Sequence, residues 1–574
     1  MRHSTHFAPA VRGLRRAAVT LGAAFTLSAA ASAEIFYVDL DLTTGANDGS
    51  SWEDALQGVD GLFAVRDLTF GGDEVWITAG TYVLGPPLPN GRTPFVVFST
   101  GVTYRGGFLG GEESLLDRPL PGTAPTTFSG DTLGNDDGTF AGFADNTDGV
   151  VRVQATDATF ENIRFTGGGG SATFGDPAVG VFARSGLVLE RCVFEGNLHD
   201  GARVSGTPSF GDRDWAVLDC VFRDNGGDGL WITSNDRDPF DGIGPSLERC
   251  SFESNGGSGI RASQWSPDLV ITESLFRGNG GDGITFESFG ELGSFGQIRN
   301  CTVQGNAGIG VRHTPVTLFG PTVRNSILWG NGAPGAAQIV GTHFGPMDSI
   351  VQGSTAGVGV LDVDPLFVDA AAGDLRLASG SPARDRGAGV GIDPNAPDLA
   401  GRYRIFDDPA VPNALPGALD AIDLGAFEAS PYVGDNSECA AVPNSTGRAG
   451  RVHALGSERV VDGDLTLVAE ELPVSQFGMF LVGRQRALVP MAGGLGTLCL
   501  GGGIGRFNGP GELQLADASG AITLALDLDR IPQPSAFVAV QPGETWRFQL
   551  WHRDVDAAGQ PANQMTGSVR VTFR

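Results

Sequence analysis

Five residues at one repeated offset carry the chemistry most readily read from this chain: Arg203, Trp231, Arg261, Thr285 and Arg312. Each lies eleven residues after a Cys or Ser in a recurring segment, and each follows an apolar neighbour, Ala202, Leu230, Ile260, Ile284 or Val311. If the apolar neighbours point inward, this column faces solvent. Two residues further on, Ser205, Thr233, Ser263, Glu287 and Thr314 make a parallel polar row. An indole face stacks on a sugar ring, and arginine forks bind hydroxyl or carboxylate oxygens, so the column suits an extended glycan. The structural alternative is that Trp231 packs against Arg203 and Arg261 and spaces them. Loops bearing Phe210, Trp215, Phe240 and Trp265 come from the same stretch and are placed to wall such a strip.

Other groups offer metal and thiol chemistry. Asp236, Asp238 and Asp241 form a D-x-D-x-x-D loop, with Asp212 and Asp214 in the loop before it. Clustered carboxylates suit calcium, although solvated turns have the same composition. Of six cysteines, Cys192, Cys220, Cys250 and Cys301 share one repeated position. Their spacings of 28, 30 and 51 residues do not resemble a zinc site. Stacked side chains would sit near the full strand spacing of about 4.8 Å, too far for a relaxed bridge, so a buried thiol ladder is expected. Cys439 and Cys499 stand apart near the C-terminus, where export would favour a disulfide.

The elements that must position these groups are set by a recurrence. LERCVFEGN at 189–197, VLDCVFRDN at 217–225, LERCSFESN at 247–255, ITESLFRGN at 271–279, IRNCTVQGN at 298–306 and VRNSILWGN at 323–331 share one internal spacing. Weaker copies are centred on Ile163 and Ser349, and successive centres are 23 to 30 residues apart. A rigid segment with a variable period is one turn of a solenoid with loops of different length. Cys and Phe two apart read as an inward-facing strand, closed by Asn and Gly, with no helical periodicity nearby. The expected fold is all-β, a right-handed parallel β-helix. The columns Arg191, Asp219, Arg249, Glu273 and Glu195, Arg223, Glu253, Arg277 alternate in sign, so stacked neighbours attract rather than repel, and these charges are expected to be structural.

Composition bounds the setting. The chain has 88 glycines and no lysine, and its net charge is -28. Residues 1–33 read as an export signal: Arg12, Arg15 and Arg16, an apolar run from Ala17 to Ala30, then Ala31-Ser32-Ala33. Their removal takes four of the 38 basic residues and none of the 66 acidic ones, leaving a net of -32. Such a surface repels nucleic acid and anionic lipid. No later apolar run approaches the ~20 residues of a membrane helix. The expected organisation is a signal at 1–33, an N-terminal cap and first coils at 34–145, regular coils at 146–360 and terminal coils at 361–430. From 436 to 574, strands such as QFGMFLVGRQ and FVAVQPGETWRFQLWHRD, separated by Gly and Pro turns, suit a β-sandwich.

Several stretches resemble a known family. NDGSSW at 47–52, GDEVWITAGTY at 72–82 and GVTYRGGFLGGEESLLDRP at 101–119 resemble the opening of secreted bacterial right-handed parallel β-helix proteins of the pectin-lyase-like superfamily. DPLFVDAAAGDLRLASGSPARDRG at 364–387 and IDLGAFE at 422–428 resemble that family's terminal choice-of-anchor segment. The resemblance covers about residues 35–428 and implies fold and export more than activity. Asn146-Thr147-Asp148-Gly149 looks like a polygalacturonase motif, but no Asp pair follows on the next coils, as an acid and base pair would require.

Three functions are therefore expected to compete. The leading one is an exported cell-surface or extracellular protein whose partner is a polysaccharide or surface glycan, bound without catalysis. The second is a polysaccharide lyase or glycoside hydrolase acting on an acidic polysaccharide, with calcium as its possible cofactor. The third is a structural surface component.

Overall fold

The computed structural model describes residues 33–574 except 86–93, 156, 170–178, 184–186, 206–214, 235–245, 265–268, 289–295, 315–319, 342–344, 390–391, 393–395, 407, 409–410, 414–420, 492–493 and 557. The 1–33 signal therefore lies almost wholly outside the described residues.

Strands of two to six residues, too short to stand alone, are stabilised by stacking coil on coil. They form three parallel sheets of eleven, ten and nine strands, and the winding is that of a right-handed parallel β-helix. One coil shows the plan: Leu187–Glu190 lies in the first sheet, Val193–Glu195 in the second and Ala202–Ser205 in the third. Equivalent residues pair in register, Phe194 with Phe222 and Phe222 with Phe252. A helix at Gly58–Val65 closes the first coils, burying Leu62 and Val65 in the core that runs up the solenoid.

Three inward columns hold the coils together. Phe165, Phe194, Phe222, Phe252 and Phe276 stack with ring centroids 4.6 to 5.0 Å apart and planes within 15°. Each such pair adds about 0.5–1.5 kcal/mol beyond its burial. Beside them runs an amide ladder. Asn197 donates through Nδ2 to Asn225 Oδ1 at 2.9 Å, and the same bond recurs through Asn255, Asn279, Asn306 and Asn331 to Gln338 Oε1 at 2.8 to 2.9 Å. In the third column a Cys or Ser accepts the backbone N–H of the rung before: Cys192 N donates to Cys220 Sγ (3.4 Å) and Cys250 N to Ser274 Oγ (3.1 Å). Sulfur and hydroxyl oxygen serve the same role there, which explains why either residue type fills the position. All four cysteines of this column are buried and unlinked.

A single residue turns the chain from the first sheet to the second. Asn162, Arg191, Asp219, Arg249, Glu273, Asn300 and Asn325 all have φ between 50 and 55°. This left-handed conformation is uncommon for residues with a Cβ and marks a corner imposed by the coil geometry. The column of alternating charge thus sits at corners, not within strands. Its charges still pair along the stack: Arg249 reaches both oxygens of Asp219 at 2.7 and 3.1 Å, and Arg191 reaches Glu161 at 2.7 Å. The neighbouring column does likewise, with Arg223 on Glu195 at 2.7 Å.

Glu273 is buried at its corner because a distant segment covers it. Beyond Leu361 the chain makes antiparallel ribbons, Phe367–Asp369 with Asp374–Leu377 and Gly387–Ala388 with Ala421–Ile422. This stretch returns to the corner of the solenoid, where Gly425 N donates to Asn325 O at 2.9 Å and Ala426 N to Thr302 Oγ1 at 3.0 Å. Arg404, fully buried, donates to the carbonyls of Asp423 and Gly425 and pairs with Glu273 at 3.4 Å and Glu428 at 3.6 Å.

The C-terminal part is an antiparallel β-sandwich. One sheet holds Tyr432–Val433, Arg451–Leu455, Thr466–Glu470 and Ile522–Ala525; the other is built around Phe477–Gly483, Thr545–Val555 and Pro561–Thr572. Alternating residues of both sheets meet in one core centred on Trp546, Phe480, Phe548 and Leu467. Cys439 and Cys499 are joined as a disulfide, their Cα atoms 6.1 Å apart.

Candidate functional site

The third sheet of the solenoid brings the column of Arg203, Trp231, Arg261, Thr285 and Arg312 into register, one residue per rung. The alternation that buries Ala202, Leu230 and Ile260 turns the arginines and Trp231 outward, where each is half-buried. Arg203 lies on the Trp231 ring with its guanidinium carbon 3.7 Å from the centroid, and Arg261 approaches the same ring at 5.5 Å. Trp231 Nε1 donates to Ser263 Oγ at 3.3 Å.

A row of carboxylates at the preceding turn organises the arginines. Arg261 Nε meets Asp228 Oδ2 at 2.6 Å and its other end reaches Glu287 at 3.2 Å; Arg312 pairs with Asp282. The same carboxylates hold the turn, because Asp200, Asp228 and Asp282 accept the backbone N–H groups of Asp228, Ser258 and Ile309 at 2.6 to 2.8 Å. Arg203 makes no ion pair among the described residues, and burial lowers its pKa. Burial, then the nearby Asp228 carboxylate, pushes the Asp200 carboxyl up to about 6.

Two expectations about exposure are corrected. Thr285 does not face solvent: its hydroxyl bonds to Asp282 Oδ2 at 3.1 Å and lies 3.3 Å from Ser258 Oγ, leaving the residue 5% exposed. A short polar side chain beneath the turn carboxylates is drawn down, where the longer arginines reach over them. Trp215 belongs to the solenoid core and does not wall the strip. Phe210, Phe240 and Trp265 lie outside the described residues, as do Asp212, Asp214 and the candidate calcium ligands Asp236, Asp238 and Asp241. Among the described residues no three His, Cys, Asp or Glu side chains gather as metal ligands. Asn146 is buried and donates to Gly167 O at 3.0 Å and Asp136 Oδ2 at 2.8 Å, a structural placement.

A second concavity was not visible in the sequence. Between the ribbons after Leu361 and the sandwich lies a cleft of about 1120 Å³, lined by Arg376, Arg384, Arg402, Arg448 and Arg451 together with Tyr432 and Phe406. These residues come from separate stretches with no common spacing. The available signal was compositional: five of 38 arginines fall at one place in a chain with 66 acidic residues.

Residues 179–355 match the family model of the right-handed β-helix region. No curated protein matches the chain. Among solved structures it is similar to pectate lyase Pel9A at 14% identity and a TM-score of 0.43, over 70% of this chain and 97% of that one. It is also similar to tailspike protein gp49 of Acinetobacter baumannii bacteriophage Fri1, a capsular polysaccharide depolymerase, at 11% identity and a TM-score of 0.31, over 94% of this chain and 84% of that one. Bacteriophage CBA120 tailspike protein 2 matches at 8% identity and a TM-score of 0.27, over 88% and 73% of the two chains.

Proposed function

We propose that this protein is exported, through a signal at residues 1–33, and binds a glycan at the cell surface or outside the cell along the third sheet of its solenoid. The observation that carries this reading is the half-buried Trp231 on a flat parallel face, oriented by Arg203 and Ser263, with Ser205 and Thr233 in register beside it. An extended sugar chain would lie across the rungs, stacking on the indole and bonding to the hydroxyl row. Binding without cleavage fits the carboxylates Asp228, Asp282 and Glu287, each engaged by an arginine and so poorly placed to act as acid or base. Residues 361–430 would serve attachment, and the sandwich at 436–574 would be a separate module. No helix among the described residues is long and apolar enough to cross a membrane.

One observation favours the second reading, a lyase or hydrolase on acidic polysaccharide. Asp200, raised to about 6, lies close enough to Asp228 to feel its charge, and two carboxyls in unlike environments are the raw material of general acid and base. A glycan array of the purified chain, with and without calcium, tests binding; incubation of any retained glycan followed by product analysis tests cleavage. Retention that Trp231→Ala weakens about fivefold, with no products, is expected. No retained glycan, or full retention by Trp231→Ala, would return the strip to a structural role.

A further inference from the structure

The cleft between the terminal ribbons and the sandwich concentrates positive charge in a strongly acidic protein. Of its five arginines, Arg376, Arg384 and Arg448 pair with Asp374, Asp408 and Glu471. Arg402 makes no ion pair among the described residues. Arg451 donates through one terminal nitrogen to Ile405 O at 2.9 Å, while its Nε, though buried, has no hydrogen-bond partner among the described residues; Arg384 Nε is in the same state. Buried donors without acceptors cost free energy that an incoming oxygen would recover.

Most acceptors around the cleft are already committed to partners of their own. Burial, reinforced by the neighbouring Asp423, raises the Glu428 carboxyl well above its ordinary range, and the buried Arg404 engages it from within at 3.6 Å. Burial works against the Glu470 carboxylate, but His453, Tyr432 and Arg451 together hold it below the usual range. Tyr432 donates to Glu470 at 3.0 Å and is fixed by stacking on His453 at 4.0 Å and by the edge of Phe406 at 5.3 Å. Glu471 and Asp408 are each taken by one arginine. Five arginines thus line the cleft with four carboxylates, Asp408, Glu428, Glu470 and Glu471, and Arg402 is left without an ion pair among the described residues.

The volume decides the ligand class. About 1120 Å³, in a cleft open on one side, is slightly more than a drug-sized molecule occupies and far more than a single inorganic anion fills. Arginine forks match planar carboxylates in a two-bonded geometry, and the mixture of arginine donors, carboxylate and serine oxygens and aromatic edges suits a ligand with both acidic and hydroxyl groups. We infer that this cleft is a binding site for a carboxylate-bearing oligosaccharide, held by Arg402, Arg451 and Arg384 against the Tyr432 and Phe406 wall. This inference stands independently of the Trp231 strip, from which it differs in residues and in domain.

Titration calorimetry of the full chain with trisaccharides of galacturonate, mannuronate and glucuronate, and with galactotriose as the neutral control, tests it. At least one acidic trisaccharide should bind, more weakly as salt rises, while galactotriose gives no heat. Arg402→Ala should weaken binding about tenfold or more, as loss of a charge-assisted bond does. Arg376→Ala, at a half-exposed residue, provides a second variant if the first does not fold. Trp231→Ala should leave this binding unchanged, which separates the cleft from the strip. Absence of heat with all three acidic sugars, equal binding of galactotriose, or affinity unaffected by both arginine substitutions would overturn the inference.

Discussion

Arg203 and Trp231 occupy facing positions on successive rungs and stack, guanidinium over indole, at 3.7 Å. The ring is thereby fixed on one side by a cation that has no carboxylate of its own among the described residues, and on the other by Arg261, which has two. The arrangement holds the indole in one orientation before any ligand arrives, reducing the ordering cost of binding.

Trp231→Ala should therefore lower both glycan affinity and stability, each by roughly 1 kcal/mol. Trp231→Phe keeps a ring but loses the bond to Ser263, and should retain most of the affinity. Calorimetry and thermal melts of the two variants check this; a Trp231→Phe variant as impaired as Trp231→Ala would place the effect in the hydrogen bond instead of the stacking.

Phe222 lies between Phe194 and Phe252 at 4.6 and 4.8 Å and is fully buried. Phe222→Ala should cost about 3–5 kcal/mol, and Phe222→Asp, which buries an unpaired charge, should abolish folding of the middle coils. Limited proteolysis reads the outcome. A soluble, protease-resistant Phe222→Asp protein would contradict the stacked core.

Asn255 accepts from Asn225 and donates to both Asn279 Oδ1 and the Phe222 carbonyl. Asn255→Leu leaves these buried partners unpaired and should cost about 2 kcal/mol or more, more than the same change at an exposed asparagine. Urea unfolding measures it, and a cost near zero would mean that water replaces the ladder.

Acidification from pH 8 to pH 5 should stabilise the packing of the terminal segment on the solenoid. Burial raises Glu273 to about 7 and Asp423 to about 6 in the folded chain, against about 4 when unfolded. The folded state then binds the additional protons, so this stability is complete below about pH 4 and lost as pH rises through 6 to 7. Melting temperatures across that window should fall with rising pH, and Glu273→Gln should flatten the slope. A slope identical in both proteins would assign the effect elsewhere.

Cys301, buried, has its thiol pushed up to about 12, and burial likewise raises Cys220. Both should resist alkylation in the native protein and react after unfolding. Mass mapping without reduction should recover Cys439 linked to Cys499; a native adduct on Cys220 would show that the column opens to solvent.

The solenoid was legible in the sequence because its period is local: Cys, Phe and Asn recur within nine residues, and each must face inward at every coil. The left-handed corner was not, since Arg191, Asp219 and Glu273 have no common side chain that announces positive φ. Nor was the burial of Glu273, which depends on Arg404, more than a hundred residues later. The strip positions pair in register because their spacing follows the coil, but the depth of Thr285 is decided by Ser258 and Asp282 at the turn, outside that column. The arginine cleft joins residues scattered between 376 and 451, and no spacing encodes that.

The asparagine amides all donate in the same sense, each toward the next coil from Asn197 to Asn331, and Asn331 in turn donates to Gln338 of its own coil. Their dipoles therefore add instead of cancelling, much as peptide groups do along a helix. The solenoid carries an axial polarity in its side chains, and its positive end is neutralised where Gln338 Nε2 donates to the Asn331 and Ala336 carbonyls. One coil differs from the next in sequence, but all share this direction, so the two ends of the column are electrically distinct.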